Sequence, residues 1–295
     1  TVGGSITVAN TGDAQSDTLT LTSLSAGGAT PAIDVSTLNF GNILLGDLVA
    51  LEGSIAVTSA GEINDAVDDQ GAPEVDLNAA SGSITLEAIN GIGNTDPIEV
   101  SAGTLAVNSN TGDLNLHHVS SAATGSVRVT KLKTGTGDIN YEQTGQESAS
   151  FEEISTTDSD ITVKVDGSLL FENPGVLLNV VETDGSGTIE VTATGVNSSI
   201  EINDGFSTAG GTIDLTAQHS LNFGSEGDLS SSDGKITLLA DSASVGAGGG
   251  GITMSDGTVF DAGVGIVDLQ AGDSITVGQL MTTTLTRLTT TDGGI

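Results

Sequence analysis

Apolar residues in this chain recur at alternate positions behind a glycine. The pattern Gly-x-[Ile/Leu/Val]-x-apolar reads GSITV from Gly4, GSIAV from Gly53, GSITL from Gly82, GTLAV from Gly103, GDLNL from Gly112 and GSVRV from Gly125. It continues as GDINY from Gly137, GSLLF from Gly167, GTIEV from Gly187, GTIDL from Gly211, GKITL from Gly234 and GGITM from Gly250. Chance placement of 42 glycines would give roughly 3 such copies, against about 12 present, so the pattern is a repeat. In Gly82-Ser83-Ile84-Thr85-Leu86, Ile84 and Leu86 share one face of a strand while Ser83 and Thr85 share the other. The preceding glycine is expected to bend the chain with a positive φ. Shorter strands are predicted between the copies at Leu19–Leu21, Val75–Leu77, Ile98–Val100, Ile161–Val163 and Leu221–Phe223, and no segment has helical period.

The copies also keep a longer rhythm. Ile84 to Leu105 to Val127 steps by 21 and 22 residues, Ile189 to Ile213 to Ile236 by 24 and 23, and Ile252 to Ile275 by 23. A coil of about 22–24 residues built from two or three short strands predicts an all-β, right-handed parallel β-solenoid of around a dozen coils, continuous over residues 1–295. The competing all-β reading is a row of tandem β-sandwich domains. Sandwiches place turn signals on periods of about 100 residues and usually carry a core Trp and a corner Tyr. Here Trp is absent and Tyr141 is the one tyrosine. Excursions from the coil are expected at about residues 61–73, at Gly27–Ala32 and at Gly145–Ser150. The chain opens within one motif copy, Gly4–Val8, and closes on Thr291–Ile295, the first half of another, with no cap visible at either end. That pattern leads us to expect a segment of a longer repetitive chain, or a filament protomer.

Composition narrows the partners. The chain has 39 acids against 6 Lys and Arg, a net charge of −33 and no Cys. Without clustered bases, nucleic acid and anionic membrane surfaces are poor partners. Without Cys, disulfides and zinc–thiolate sites are excluded. The longest apolar runs, Ile43–Leu51 and Val176–Val181, fall short of the ~20 residues of a spanning helix.

GSITL, GDLNL, GTIDL and GKITL, set among Ala, Ser, Thr, Asn and Gly and without Cys, resemble the repeat regions of large bacterial secreted adhesins. The filamentous-haemagglutinin type is the nearest comparison and autotransporter passenger domains the second. The resemblance implies a right-handed β-helix exported unfolded and displayed, extracellular, on a bacterial cell surface. The Asn-Pro-Asn signatures of the haemagglutinin secretion domain are absent, Asn173-Pro174-Gly175 matching only in part. The resemblance therefore implies shaft and not secretion apparatus.

Candidate chemistry is sparse. Glu62, Asp65, Asp68 and Asp69 place four carboxylates within eight residues, an oxygen-only set of the kind Ca²⁺ accepts, or else a solvated acidic loop. No other cofactor is implied. Stacked coils add a general demand for counter-charge, because two carboxylates ~4.8 Å apart repel by roughly 1 kcal/mol even in bulk water. His117 and His118 follow a strand and point to opposite faces, and His219 stands alone. Asp158 and Asp160 have the form of an acid–base pair for glycan chemistry. Sugar sites also want aromatic platforms, and Arg128, Lys131 and Lys133 are the only cluster of bases. The sequence thus predicts a non-enzymatic extracellular structural or adhesive protein that self-associates end to end or side to side, or meets a host or matrix glycan or protein. The alternative is a carbohydrate-binding or carbohydrate-processing β-helix.

Overall fold

Alternation along each motif becomes alternation about a sheet. In the strand Leu77–Ala88, Ile84 and Leu86 are fully buried while Thr85 and Glu87 are exposed. Burying each such Ile, Leu or Val contributes about 1.5–3 kcal/mol, which drives the strand to present one face to a core. The computed structural model describes residues 3–11, 17–66, 74–120, 125–175, 179–241, 249–291 and 294–295. The described chain is all-β, without helix, and its parallel stacked strands form a β-solenoid of about ten turns. It divides into two units, Thr1–Glu147 and Ser148–Ile295.

In the first unit three columns of side chains climb from coil to coil. One column runs Ile6, Ile33, Ile55, Ile84, Leu105 and Val129. A second runs Leu19, Ile43, Ile63, Ile92, Leu114 and Ile139. The third runs Leu24, Leu48, Leu77 and Val100, then turns polar at His118 and Gln143. Those two polar residues are satisfied inside the core. His118 Nε2 meets the Ala102 peptide, 3.2 Å from its N and 3.1 Å from its O. Tyr141 Oη donates to Gln143 Oε1 at 2.9 Å, and Gln143 Nε2 donates to the Glu147 carbonyl at 2.7 Å.

The second unit repeats the plan. Its columns are Ile154, Val181, Phe206, Leu229, Phe260 and Leu280; Ile161, Ile189, Ile213, Ile236 and Val267; and Ala149, Leu169, Ile200, Leu221, Ile252 and Ile275. Phenylalanines pack between columns: Phe171 stacks on Phe151 at 5.2 Å and meets Phe206 edge-on at 4.9 Å.

Four expectations change. Coils are less uniform than 22–24 residues: Ile55 lies beside Ile84, a step of 29, and Leu221 beside Ile252, a step of 31. These longer steps reduce a dozen coils to about ten. Val129, not Val127, lies beside Leu105, because the register shifts by one residue between Val129 and Lys131. Gly27–Ala32 is part of the strand Gly27–Thr37 and not an excursion. Finally, close approach rather than positive φ explains several motif glycines. A Cβ on Gly82 would lie 1.6 Å from the Gly53 carbonyl oxygen, on Gly211 1.9 Å from that of Gly187, and on Gly234 1.7 Å from that of Gly211. None of these three has positive φ, whereas Gly112 and Gly137 do. Glycine sits above glycine because successive coils touch there through bare backbone.

Candidate metal centre

The chain leaves the sheet after the strand Ile63–Asp65 and rejoins it at Leu77–Ala88. Asp65 closes the first strand, at the position beside Leu45 in the stack. Asp76 stands immediately before the second, and Glu99 lies one coil further on, since Leu77 pairs with Val100. One oxygen from each of Asp65, Asp76 and Glu99 lies within 4.8 Å of the others. All three side chains are buried, at 9, 7 and 5% exposure. The Glu99 N–H donates to Asp76 Oδ2 at 3.0 Å, but Glu99 Oε2 is buried and has no hydrogen-bond partner.

Burial, aided by the charges of Asp65 and Glu99 and by hydrogen bonding with the Glu99 side chain, pushes the Asp76 carboxyl up to about 9. The Glu99 N–H pulls the other way without overcoming this. A buried carboxylate among carboxylates lacks counter-charge. The nearest base described is His117, whose Nδ1 is 3.8 Å from Glu99 Oε1 and whose Nε2 is 3.1 Å from Thr144 Oγ1.

Of the four acids proposed from sequence, only Asp65 belongs to this cluster among the described residues. Glu62 is half-buried and accepts a hydrogen bond from Asn64 Nδ2 at 2.9 Å. It is three residues from Asp65 on an extended chain, so the two point to opposite faces. Asp68 and Asp69 lie outside the described residues. Asp76 and Glu99 were missed because proximity along the sequence was weighed instead of proximity between coils. Their separation of 23 residues, in Val-Asp-Leu and Ile-Glu-Val strands, is one coil and was the available signal.

Acids elsewhere bond to the backbone. Asp158 Oδ1 accepts the Ser186 N–H at 2.9 Å and Asp160 Oδ1 the Thr188 N–H at 2.7 Å. Asp113 accepts from Asp138 N, Asp228 from Val259 N and Asp233 from Val264 N, each partner 25 to 31 residues on. These carboxylates cap unpaired N–H groups of the following coil. His117 and His118 do diverge, the first half-buried and the second fully buried. Burial lowers the His118 imidazole to about 4, which keeps it neutral. His219 Nδ1 lies 2.7 Å from Ser220 Oγ.

Comparison of the chain with protein-family models, with curated proteins and with solved structures finds no match.

Proposed function

We propose that this chain is a non-enzymatic structural protein, a shaft or filament segment displayed outside the cell, in line with its resemblance to the repeat regions of bacterial secreted adhesins. One observation carries the reading: residue types that sugar or acid–base chemistry would need on the surface are used to join coils. Asp158 and Asp160, the pair with the form of a glycosidase site, accept backbone N–H groups of the next coil. Phe151, Phe171, Phe206, Phe223, Phe260 and Tyr141 are in the core, leaving Phe40 as the exposed aromatic ring. Sugar-stacking platforms and paired free carboxylates are thereby used up, while the repeat that builds the coils is kept throughout. Self-association follows from the same reading, with neighbouring copies as the first partner and a matrix glycan or protein as the second.

The carbohydrate-binding alternative has one feature in its favour. A surface cleft of about 410 Å³ is lined by Thr85, Glu87, Asn108, Thr130 and Lys131, among others, and offers donors and acceptors to hydroxyl groups. Negative-stain imaging over a concentration series, beside a glycan-array screen, separates the two. Filaments or end-joined particles without glycan binding support the structural reading. Monodisperse short particles at every concentration overturn it, and saturable glycan binding abolished by Lys131→Ala moves the assignment to the alternative.

A further inference from the structure

We propose that Asp65, Asp76 and Glu99 bind one divalent cation, Ca²⁺ by the chemistry of their oxygens, and that this ion fastens the two ends of the 65–76 excursion to the following coil. The site is independent of the reading above, since a shaft, a filament or a sugar-binding solenoid would equally use it.

The geometry sets the scale. Ca²⁺ holds oxygen ligands at 2.3–2.6 Å, so two ligands on opposite sides of the ion are about 4.6–5.2 Å apart at most. Oxygens of the three carboxylates all lie within 4.8 Å of one another, from residues 11 and 23 positions apart in sequence. The fold, not local sequence, assembles them. Asp65 stands in the stack beside Leu45, where an apolar residue would ordinarily extend the core, and Glu99 lies in a run buried from Ile98 through Ala102.

A second observation points to a ligand. Glu99 is 5% exposed, faces Asp76 and carries a buried oxygen, Oε2, with no hydrogen-bond partner. Unpartnered buried polar atoms are costly, and a charged one more so. Asn78, two residues beyond Asp76 on the same strand face, also has a buried Oδ1 without a partner and adds a neutral oxygen nearby. The contrast with Asp158, Asp160, Asp228 and Asp233 is direct, since those acids accept backbone N–H groups at the exposed rim.

The donors choose the class of ion. Three carboxylates and an amide oxygen form a hard set, suited to Ca²⁺ and not to ions that favour thiolate or imidazole. Three carboxylates can supply up to six oxygens, within the six to eight that Ca²⁺ takes, whereas Mg²⁺ keeps several waters and strict octahedral geometry. His117 lies against Glu99 Oε1 from outside the trio, where it orients the carboxylate without being a ligand.

The experiment is calorimetric titration of the chelator-treated full chain with CaCl₂, at about 0.15 M NaCl to screen diffuse binding to the acidic surface. The expected result is one saturable site, weakened at least about tenfold in Glu99→Gln and in Asp76→Asn and unchanged in the rim variant Asp228→Asn. Each variant is first checked for the β-sheet circular dichroism of the parent. On the parent, Ca²⁺ is expected to slow hydrogen exchange at the Glu99 amide and not at the Thr188 amide, which Asp160 holds in the second unit. Absence of a saturable site in the parent overturns the proposal, as does a site that survives intact in both variants or binding without added protection at Glu99.

Discussion

Arg287 lies directly beside Asp268 on the neighbouring strand, and its Nε and Nη2 each donate to a different oxygen of that carboxylate. Asp268 is 2% exposed, and Lys235 Nζ approaches its Oδ2 to 3.6 Å. The hydrogen bonds from Arg287 hold the Asp268 carboxyl below its ordinary value of 3.8, against the opposing effect of burial. The folded chain thus retains the charged form more firmly than the unfolded chain does. Stability from this pair is present above about pH 3.8 and is lost as pH falls through the lower folded value. Arg287→Gln is expected to lower the melting temperature at neutral pH. The gap to the parent should close in melts below pH 3.8, and a gap that persists there would show another origin for the loss.

The glycine stack makes a paired prediction. A Cβ on Gly82 would lie 1.6 Å from the Gly53 carbonyl oxygen, whereas on Gly103 its nearest neighbour would be the Gly82 carbonyl oxygen at 3.4 Å. Gly82→Ala should destabilise the first unit by about 1–3 kcal/mol through forced backbone displacement. Gly103→Ala should fall within about 0.5 kcal/mol of the parent. Urea midpoints compare the two directly, and equal losses would contradict the close-approach explanation.

Phe171 joins Phe151 and Phe206 in the core of the second unit. Truncation to Ala removes both ring contacts and leaves a cavity that flanking strands cannot easily close, at a cost of about 3–5 kcal/mol. Phe40→Ala, at a residue 42% exposed, should stay within about 0.5 kcal/mol. Chemical denaturation of the two variants reads the difference.

His118 is a buried neutral imidazole, with burial placing its titration at about 4. Its ring proton resonances should stay flat from about pH 8 to about pH 5, a range in which an ordinary histidine titrates. Below pH 6.5 the unfolded chain binds a proton that the folded chain refuses. This residue's contribution to stability therefore falls with pH between 6.5 and about 4, by up to roughly 1.4 kcal/mol per unit. His118→Gln should remove that slope in pH-dependent melts.

The coil was legible wherever its length was regular. Ile84 beside Leu105, the run Ile189–Ile213–Ile236 and the pair Ile252–Ile275 all stack as their spacing indicates. Spacing failed where residues were inserted. One extra residue at Thr130 moves the partner of Leu105 from Val127 to Val129, and Val or Ile at alternate positions gives no local sign of the shift. The metal centre was half legible: Asp65 was recognised, but Asp76 and Glu99 belong to a contact between coils that a search for nearby acids does not find. The purpose of the other acids was hidden for a similar reason, because each N–H acceptor is recognised only once its partner 25 to 31 residues later has been placed.

The stacked glycines bear on how such a chain finds its alignment during folding. In a parallel stack, sliding one coil by two residues keeps every Ile, Leu and Val facing inward, so the apolar pattern alone barely penalises the error. A slide of that size would bring Ala80 or Ile84 to the place of Gly82, where a Cβ meets the Gly53 carbonyl oxygen. The same holds for Gly211 against Gly187 and Gly234 against Gly211. Glycine in these columns thus acts as a proofreading mark: each new coil adds smoothly in one alignment and collides in the next acceptable one.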